Sequence, residues 1–314
     1  MIKWIRTTLL GTLLLVSIPA FAMTSEGMLS GNLSSVGSDT LANLMSLWAE
    51  DFNHHYPSIN LQIQAAGSST APTALAAGAA QLGPMSRPMK SAEIAAFVQR
   101  YGYAPLAVPV AVDALVVLVH QDNPLPGLSL SQLDAIYSQN HLCSASNPVN
   151  SWADLGLTGP WAARSIERYS RNSASGTYGY FKLRALCGGD FHSQVNELPG
   201  SASVVQAVAA SLNSIGYASI GFRASGVRLL PLAESGHDYV LPTAENVRNG
   251  RYPLSRYLYI YVNKAPDQPL EPLTAVFLSR VLSAEGQDVV SRDGYLPLSP
   301  ESLRKARAIL GLAN

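Results

Sequence analysis

Apolar positions recur along this chain with two periods, and the change from one to the other marks out its elements. Leu33 to Gly37 reads as a short strand and tight turn. Leu41, Leu44, Met45, Trp48 and Phe52 then fall three and four apart, one face of a helix that starts at Ser38-Asp39-Thr40. Ile59, Leu61 and Ile63 alternate as a second strand. After Ala66-Gly67-Ser68-Ser69-Thr70 a helix opens with Pro72 in its first turn and carries Leu75, Ala76 and Leu82. Gln81 to Pro88 reads as a strand and loop, and Ser91 to Tyr101 as a helix. Val108 to His120 is apolar apart from Asp113 and too long for one ordinary strand, so it is expected to cross from one domain into another.

The segment from Asn123 to Leu157 is rich in Pro, Ser and Asn, with short helices at Leu130 to Tyr137 and Trp152 to Leu155. Ile166 to Tyr169 is a strand feeding Arg171-Asn172-Ser173-Ala174-Ser175-Gly176-Thr177, which opens a helix carrying Tyr178, Phe181, Ala185 and Leu186. A helix at Ser201 to Leu212 and a strand at Ile215 to Ile220 follow. Tyr257 to Val262 alternates strictly and is expected to cross back, its tyrosines packed on the faces of one strand. Helices at Leu273 to Leu282 and Pro300 to Leu310 close the chain.

Strands alternating with helices imply an α/β fold with mainly parallel sheets, and ligands of such folds bind at the carboxyl ends of strands. With two crossings the chain divides into lobe I, residues 27–112 plus 257–314, and lobe II, residues 113–256. A two-lobed clamp with a cleft between its lobes is the expected shape, the crossing strands serving as hinge.

Composition narrows the setting. Lys3 and Arg6, the apolar stretch Leu9 to Ile18 and the Ala20-Phe21-Ala22 site form an export signal over residues 1–22, with a retained membrane anchor as the alternative. No later segment reaches the ~20 uninterrupted apolar residues of a spanning helix. The chain has 21 basic and 21 acidic side chains; without Lys3 and Arg6 the balance is 19 against 21, a net charge of −2. No basic cluster is present, which excludes nucleic acid as a partner. Cys143 and Cys187 are the two cysteines. In an exported chain they are expected to pair, two free buried thiols being the alternative. Adjacent His54 and His55 point about 100° apart on a helix and do not chelate one metal ion.

Candidate chemistry lies in the loops. Ser175-Gly176-Thr177 at a helix start offers backbone N–H groups, two hydroxyls and the positive end of the helix dipole, with Arg171 four residues upstream. An ordinary N-cap explains the same residues. Two further loops of this kind, Gly37 to Thr40 and Gly67 to Thr70, together with Ser86 and Arg87, turn the balance toward a site for a tetrahedral oxyanion.

The order Gly37-Ser38-Asp39-Thr40, Gly67-Ser68-Ser69-Thr70, Gly83-Pro84-Met85-Ser86-Arg87-Pro88, Arg171 to Thr177 and Ile215-Gly216-Tyr217 resembles the PstS-type periplasmic phosphate-binding components of ABC transporters. Tyr252-Pro253-Leu254-Ser255-Arg256, Glu285-Gly286-Gln287 and Gly294-Tyr295 extend the likeness over nearly the whole mature chain. The resemblance implies a type II two-lobed binding fold that closes on one inorganic phosphate in the periplasm and hands it to a membrane permease. It implies no catalysis and no cofactor or metal, and a monomer. By position it implies phosphate contacts from Ser38, Asp39, Thr40, Leu41, Ser68, Ser86, Arg87, Arg171, Ser175, Gly176 and Thr177. Ser86 departs from the pattern, since many relatives carry there an Asp that accepts the proton of hydrogen phosphate; Asp39, Asp113 or the Ser86 hydroxyl are the substitutes. The same cleft suits sulfate, molybdate or tungstate. A secreted phosphatase or hydrolase using Ser175 or Ser68 requires a base, and the loops assigned to the cleft contain no His.

Overall fold

Residues 29–143, 147–222 and 224–312 are described by the structure, a computed structural model. The expected export signal lies outside them. The chain begins with β1 (Gly31–Val36), α1 (Ala42–His55), β2 (Ile59–Gln64), α2 (Ala71–Ala76), β3 (Gly83–Met85), α3 (Ser91–Tyr101) and β4 (Leu106–His120). It continues through β5 (Leu128–Ser129), α4 (Leu130–Tyr137), β6 (Glu167–Arg171), α5 (Gly176–Ala185), β7 (Asn196–Leu198), α6 (Ser201–Ala210) and β8 (Ser214–Ser219). The remainder is β9 (Val227–Leu230), β10 (Leu232–Ala233), α7 (Ala244–Arg248), β11 (Ser255–Val262), α8 (Pro272–Val281), α9 (Ala284–Arg292) and α10 (Pro300–Leu310).

One sheet runs through the molecule in the order β3-β11-β4-β8-β6-β7, with β9 also on β4, and β1 pairs β2 beside it. β4 makes this continuity. Its first part, Leu106 to Ala114, pairs β11, and Leu115 to His120 pairs β8 and β9. The β1–β2, β6–β7, β6–β8 and β5–β10 ladders are parallel, and every antiparallel ladder between named strands contains β4 or β11. The fold is therefore α/β, parallel where strands alternate with helices and antiparallel along the two long strands that pass through it.

The helical faces are buried as the spacing requires. α1 buries Leu44, Met45, Trp48 and Phe52, each side chain of this size contributing about 1.5–3 kcal/mol on burial. The Trp48 indole N–H donates to Gly286 O at 2.9 Å, and Phe52 meets Phe277 edge-on at 5.3 Å. The disulfide Cys143–Cys187, Cα to Cα 5.4 Å, ties the segment after α4 to the end of α5.

Several boundaries differ from the sequence reading. The first helix divides into a 3-10 turn, Asp39–Leu41, and α1. α2 ends at Ala76, and Leu82 sits on the strand side, bridged to Ser35. β6 extends to Arg171 itself, so the arginine leaves from a strand end instead of a loop. α9 was not legible as a helix: it buries Gly286, Gln287, Val289 and Val290, and only the two valines are apolar in pattern. The short strands β5, β7, β9 and β10 were not read either, because two to four residues carry no period.

Candidate anion-binding site

Four loops leave the carboxyl ends of β1, β2, β3 and β6 and meet. Backbone bonds fix the first three: Gly67 N–H donates to Gly37 O at 2.8 Å, Gly37 N–H to Gln64 O at 2.9 Å, and Ser38 N–H to Pro84 O at 2.8 Å. Packing there is too close for side chains. A Cβ on Gly37 would lie 2.1 Å from Pro84 O. The fourth loop docks on the second through Ser69 N–H, which donates to Ala174 O at 3.1 Å. Gly67 permits that approach at φ +117, where a Cβ would stand 2.6 Å from Ala174 O. Gly176 lies over the serines, and its Cβ would come within 2.3 Å of Ser68 Oγ and 2.5 Å of Ser86 Oγ.

Hydroxyls fill the meeting point. Thr40 Oγ1 and Thr177 Oγ1 are 3.0 Å apart, Ser68 Oγ and Ser86 Oγ 3.3 Å, and Ser86 N–H donates to Ser68 Oγ at 3.0 Å. Ser38 Oγ accepts from Thr40 N–H, and Ser175 Oγ accepts from Thr177 and Tyr178 N–H. Both serines therefore act as N-caps and each keeps one O–H to donate. All six hydroxyl residues are buried. The Leu41 side chain belongs to the hydrophobic core, so only its backbone is available to a ligand.

Three buried arginines surround the point, and each has a carboxylate. Arg171 Nη2 lies 2.8 Å from Asp39 Oδ2 and donates to Pro199 O at 2.7 Å, while Nη1 donates to Ser201 Oγ at 2.9 Å. Its Nε is buried without a protein partner, as is Asp39 Oδ1. Arg256 pairs with Asp113 at 2.7 Å and donates to Thr177 Oγ1 at 2.9 Å. Arg87 grips both oxygens of Glu93, at 2.8 and 2.7 Å, and reaches Ser69 Oγ at 3.2 Å. The side-chain charges thus cancel pair by pair, and the site offers donors with little net charge. Tyr295 closes one side by donating to Thr40 O at 2.7 Å; burial holds its phenol well above the ordinary range and keeps it a donor.

Of the residues expected at the site, Thr40, Ser68, Ser86, Arg171, Ser175, Gly176 and Thr177 come together, with Ser38 and Asp39 beside them. The guanidinium of Arg87 is instead committed to Glu93. Arg256, Ser201 and Tyr295 were not among the expected contacts. Asp113 carried the signal for Arg256, because a carboxylate inside an apolar strand requires a buried counter-charge on a neighbouring strand. Among the described residues no group of His, Cys, Asp and Glu is placed to hold a metal ion.

The α/β fold and the strand-end loops define a class, and residues 22–285 match the family model of the PBP superfamily domain. A phosphate-binding protein PstS of Pseudomonas aeruginosa is 59% identical over 284 residues, covering 90% of this chain and 88% of the relative. One from Staphylococcus epidermidis is 26% identical over 285 residues, 89% of this chain and 82% of the relative. A solved structure from Clostridium perfringens, described as a phosphate ABC transporter substrate-binding protein with bound phosphate, has a TM-score of 0.72 at 26% identity and covers 86% of this chain and 100% of that one. The chain belongs to the PBP superfamily and, within it, to the family of PstS phosphate-binding proteins.

Proposed function

We propose that the protein captures inorganic phosphate in the cleft between its lobes and delivers it, without catalysis, to an ABC permease. The observation that carries the reading is the convergence of four strand-end loops on one buried point lined by Thr40, Ser68, Ser86, Ser175 and Thr177 hydroxyls and the Arg171 guanidinium. Such a set suits a small oxyanion, since charge-assisted hydrogen bonds supply affinity while the compensated charges let the anion leave when the loops part. The names of the relatives support phosphate as that anion.

In this reading the lobes are residues 27–112 plus 257–314 and residues 113–256, and Thr40, Ser68 and Ser86 face Arg171 to Thr177 across the cleft. The division is supported by the change of β4's partners near Ala114. Residues 1–22 export the chain to the periplasm, where it acts as a monomer. Among the described residues no helix is long and apolar enough to cross a membrane.

Titration calorimetry of the mature chain with phosphate, arsenate, sulfate and molybdate tests the proposal. Tight phosphate binding is the expected result. A preference for sulfate or molybdate would replace phosphate with another oxyanion in the same cleft, and no binding at all would end the reading.

A further inference from the structure

Asp113 is the one acidic residue of β4 and is fully buried. It stands in register with Arg256 of β11, so a carboxylate and a guanidinium face each other across the two strands that pass through the molecule. Both carboxylate oxygens are engaged. Oδ1 accepts from Ser219 Oγ at 2.6 Å and Ile220 N–H at 3.3 Å, and Oδ2 accepts from Arg256 Nε at 2.9 Å and Nη2 at 2.7 Å. Arg256 also lies over the Tyr180 ring, 5.2 Å from its centroid.

An ion pair serving only to hold two strands together would end there, and apolar residues of similar volume hold strands equally well. This one continues. Arg256 Nη2 donates to Thr177 Oγ1 at 2.9 Å, Thr177 Oγ1 is 3.0 Å from Thr40 Oγ1, and Arg256 Nη1 is buried with no protein partner. A guanidinium has donors only, so Thr177 Oγ1 accepts at that bond. The two threonines hold two protons between them. One is spent on their mutual bond, and the other is left for the site.

We propose that Arg256 is a positioning residue of the anion site: held by Asp113, it fixes the Thr177 hydroxyl as an acceptor from behind, so that the threonine pair presents one O–H to the bound anion. The inference rests on the phosphate reading and adds to it a residue that touches the anion loops from the crossing strands. It also explains a charge inside the apolar run of β4.

A double-mutant cycle tests it. Phosphate, arsenate, sulfate and molybdate are titrated into the wild-type chain, Arg256→Lys, Thr177→Val and the double variant, with circular-dichroism melts of each. Hydrogen bonds to charged groups predict that each single change weakens phosphate binding about 10- to 100-fold. Because Arg256 acts through Thr177, the double variant should be no more than about threefold weaker than the worse single one. Independent effects that multiply in the double variant, or native affinity in Arg256→Lys, would overturn the proposal. If Arg256→Lys does not fold, Asp113→Asn takes its place in the same cycle and is judged by the same two outcomes. A wild-type chain that binds phosphate while the effects multiply sinks only this inference; a wild-type chain that binds none of the four anions sinks the phosphate reading and this inference with it.

Discussion

Asp39 Oδ2 lies 2.8 Å from Arg171 Nη2, joining the loop after β1 to the end of β6 from 132 residues away in sequence. The arginine is 1% exposed and the aspartate 17%, so the pair is largely dry. It restrains Arg171 Nη2 and leaves Arg171 Nε and Asp39 Oδ1 as the unspent donor and acceptor. These two atoms define what substitutions at the site should do.

Arg171→Ala is expected to weaken phosphate binding by about 2–3 kcal/mol, roughly 30- to 150-fold in Kd, because a charged donor is lost from a buried site. Ser175→Ala should cost about 1–2 kcal/mol, since the backbone of the turn remains. Calorimetry on folded variants decides both, and unchanged affinity in Arg171→Ala would remove this residue from the anion's contacts.

Asp39→Asn tests selectivity. Both oxygens of Asp113 are occupied, whereas Asp39 retains a free Oδ1, so of the two carboxylates Asp39 is placed to accept a proton from hydrogen phosphate and to repel sulfate, which has none. The variant should discriminate less between phosphate and sulfate. Ser86→Asp should bind both more weakly, by adding a second carboxylate near one dianion. Full discrimination in Asp39→Asn would show that Asp39 is not the acceptor.

Gly176→Ala introduces a methyl within 2.3 Å of Ser68 Oγ and 2.5 Å of Ser86 Oγ. The loops are expected to separate to admit it, so phosphate affinity should fall at least about tenfold, one factor of ten per 1.4 kcal/mol of lost contact. Small-angle scattering with saturating phosphate should show a larger radius of gyration than the wild type. A native radius and affinity would mean that the serines swing aside without consequence.

Glu93 links the site to pH. Burial pushes its carboxyl up, but hydrogen bonds from Arg87 and the Lys90 backbone, with both positive charges, outweigh this and hold it below the ordinary glutamate range. A depressed folded value adds stability that is complete above the unfolded value and is lost as pH falls through the lower folded one. The melting temperature should therefore decline below about pH 4.5, and Glu93→Gln should reduce the slope there. An identical acid profile in the variant would count against this coupling.

Reduction of Cys143–Cys187, or the double serine variant, should lower stability by about 4 kcal/mol in the chain-entropy model for a 44-residue separation. Phosphate binding should persist in the folded population, because neither cysteine lines the anion loops. Urea melts with and without reductant measure the first effect, and calorimetry under reducing conditions the second.

The elements with a clear apolar period, and the loops between them, can be read along the chain. α1, α3, α10 and the strands β4 and β11 follow from the apolar pattern, because burying a face of a helix or strand requires apolar residues there. The small and hydroxylated loops Gly37 to Thr40, Gly67 to Thr70 and Ser175 to Thr177 were legible for a related reason: close backbone approach excludes larger residues. Which distant charges meet is settled by the folded arrangement. Arg87 and Arg171 both stand at strand ends beside serines, yet the first is taken by Glu93 only six residues on, while the second pairs with Asp39 from 132 residues away. Arg256 stayed hidden because its partners, Asp113 and Thr177, lie 143 and 79 residues away. Charge pairing is a property of neighbours in space, and here β4 and β11 are neighbours although 143 residues separate Asp113 from Arg256.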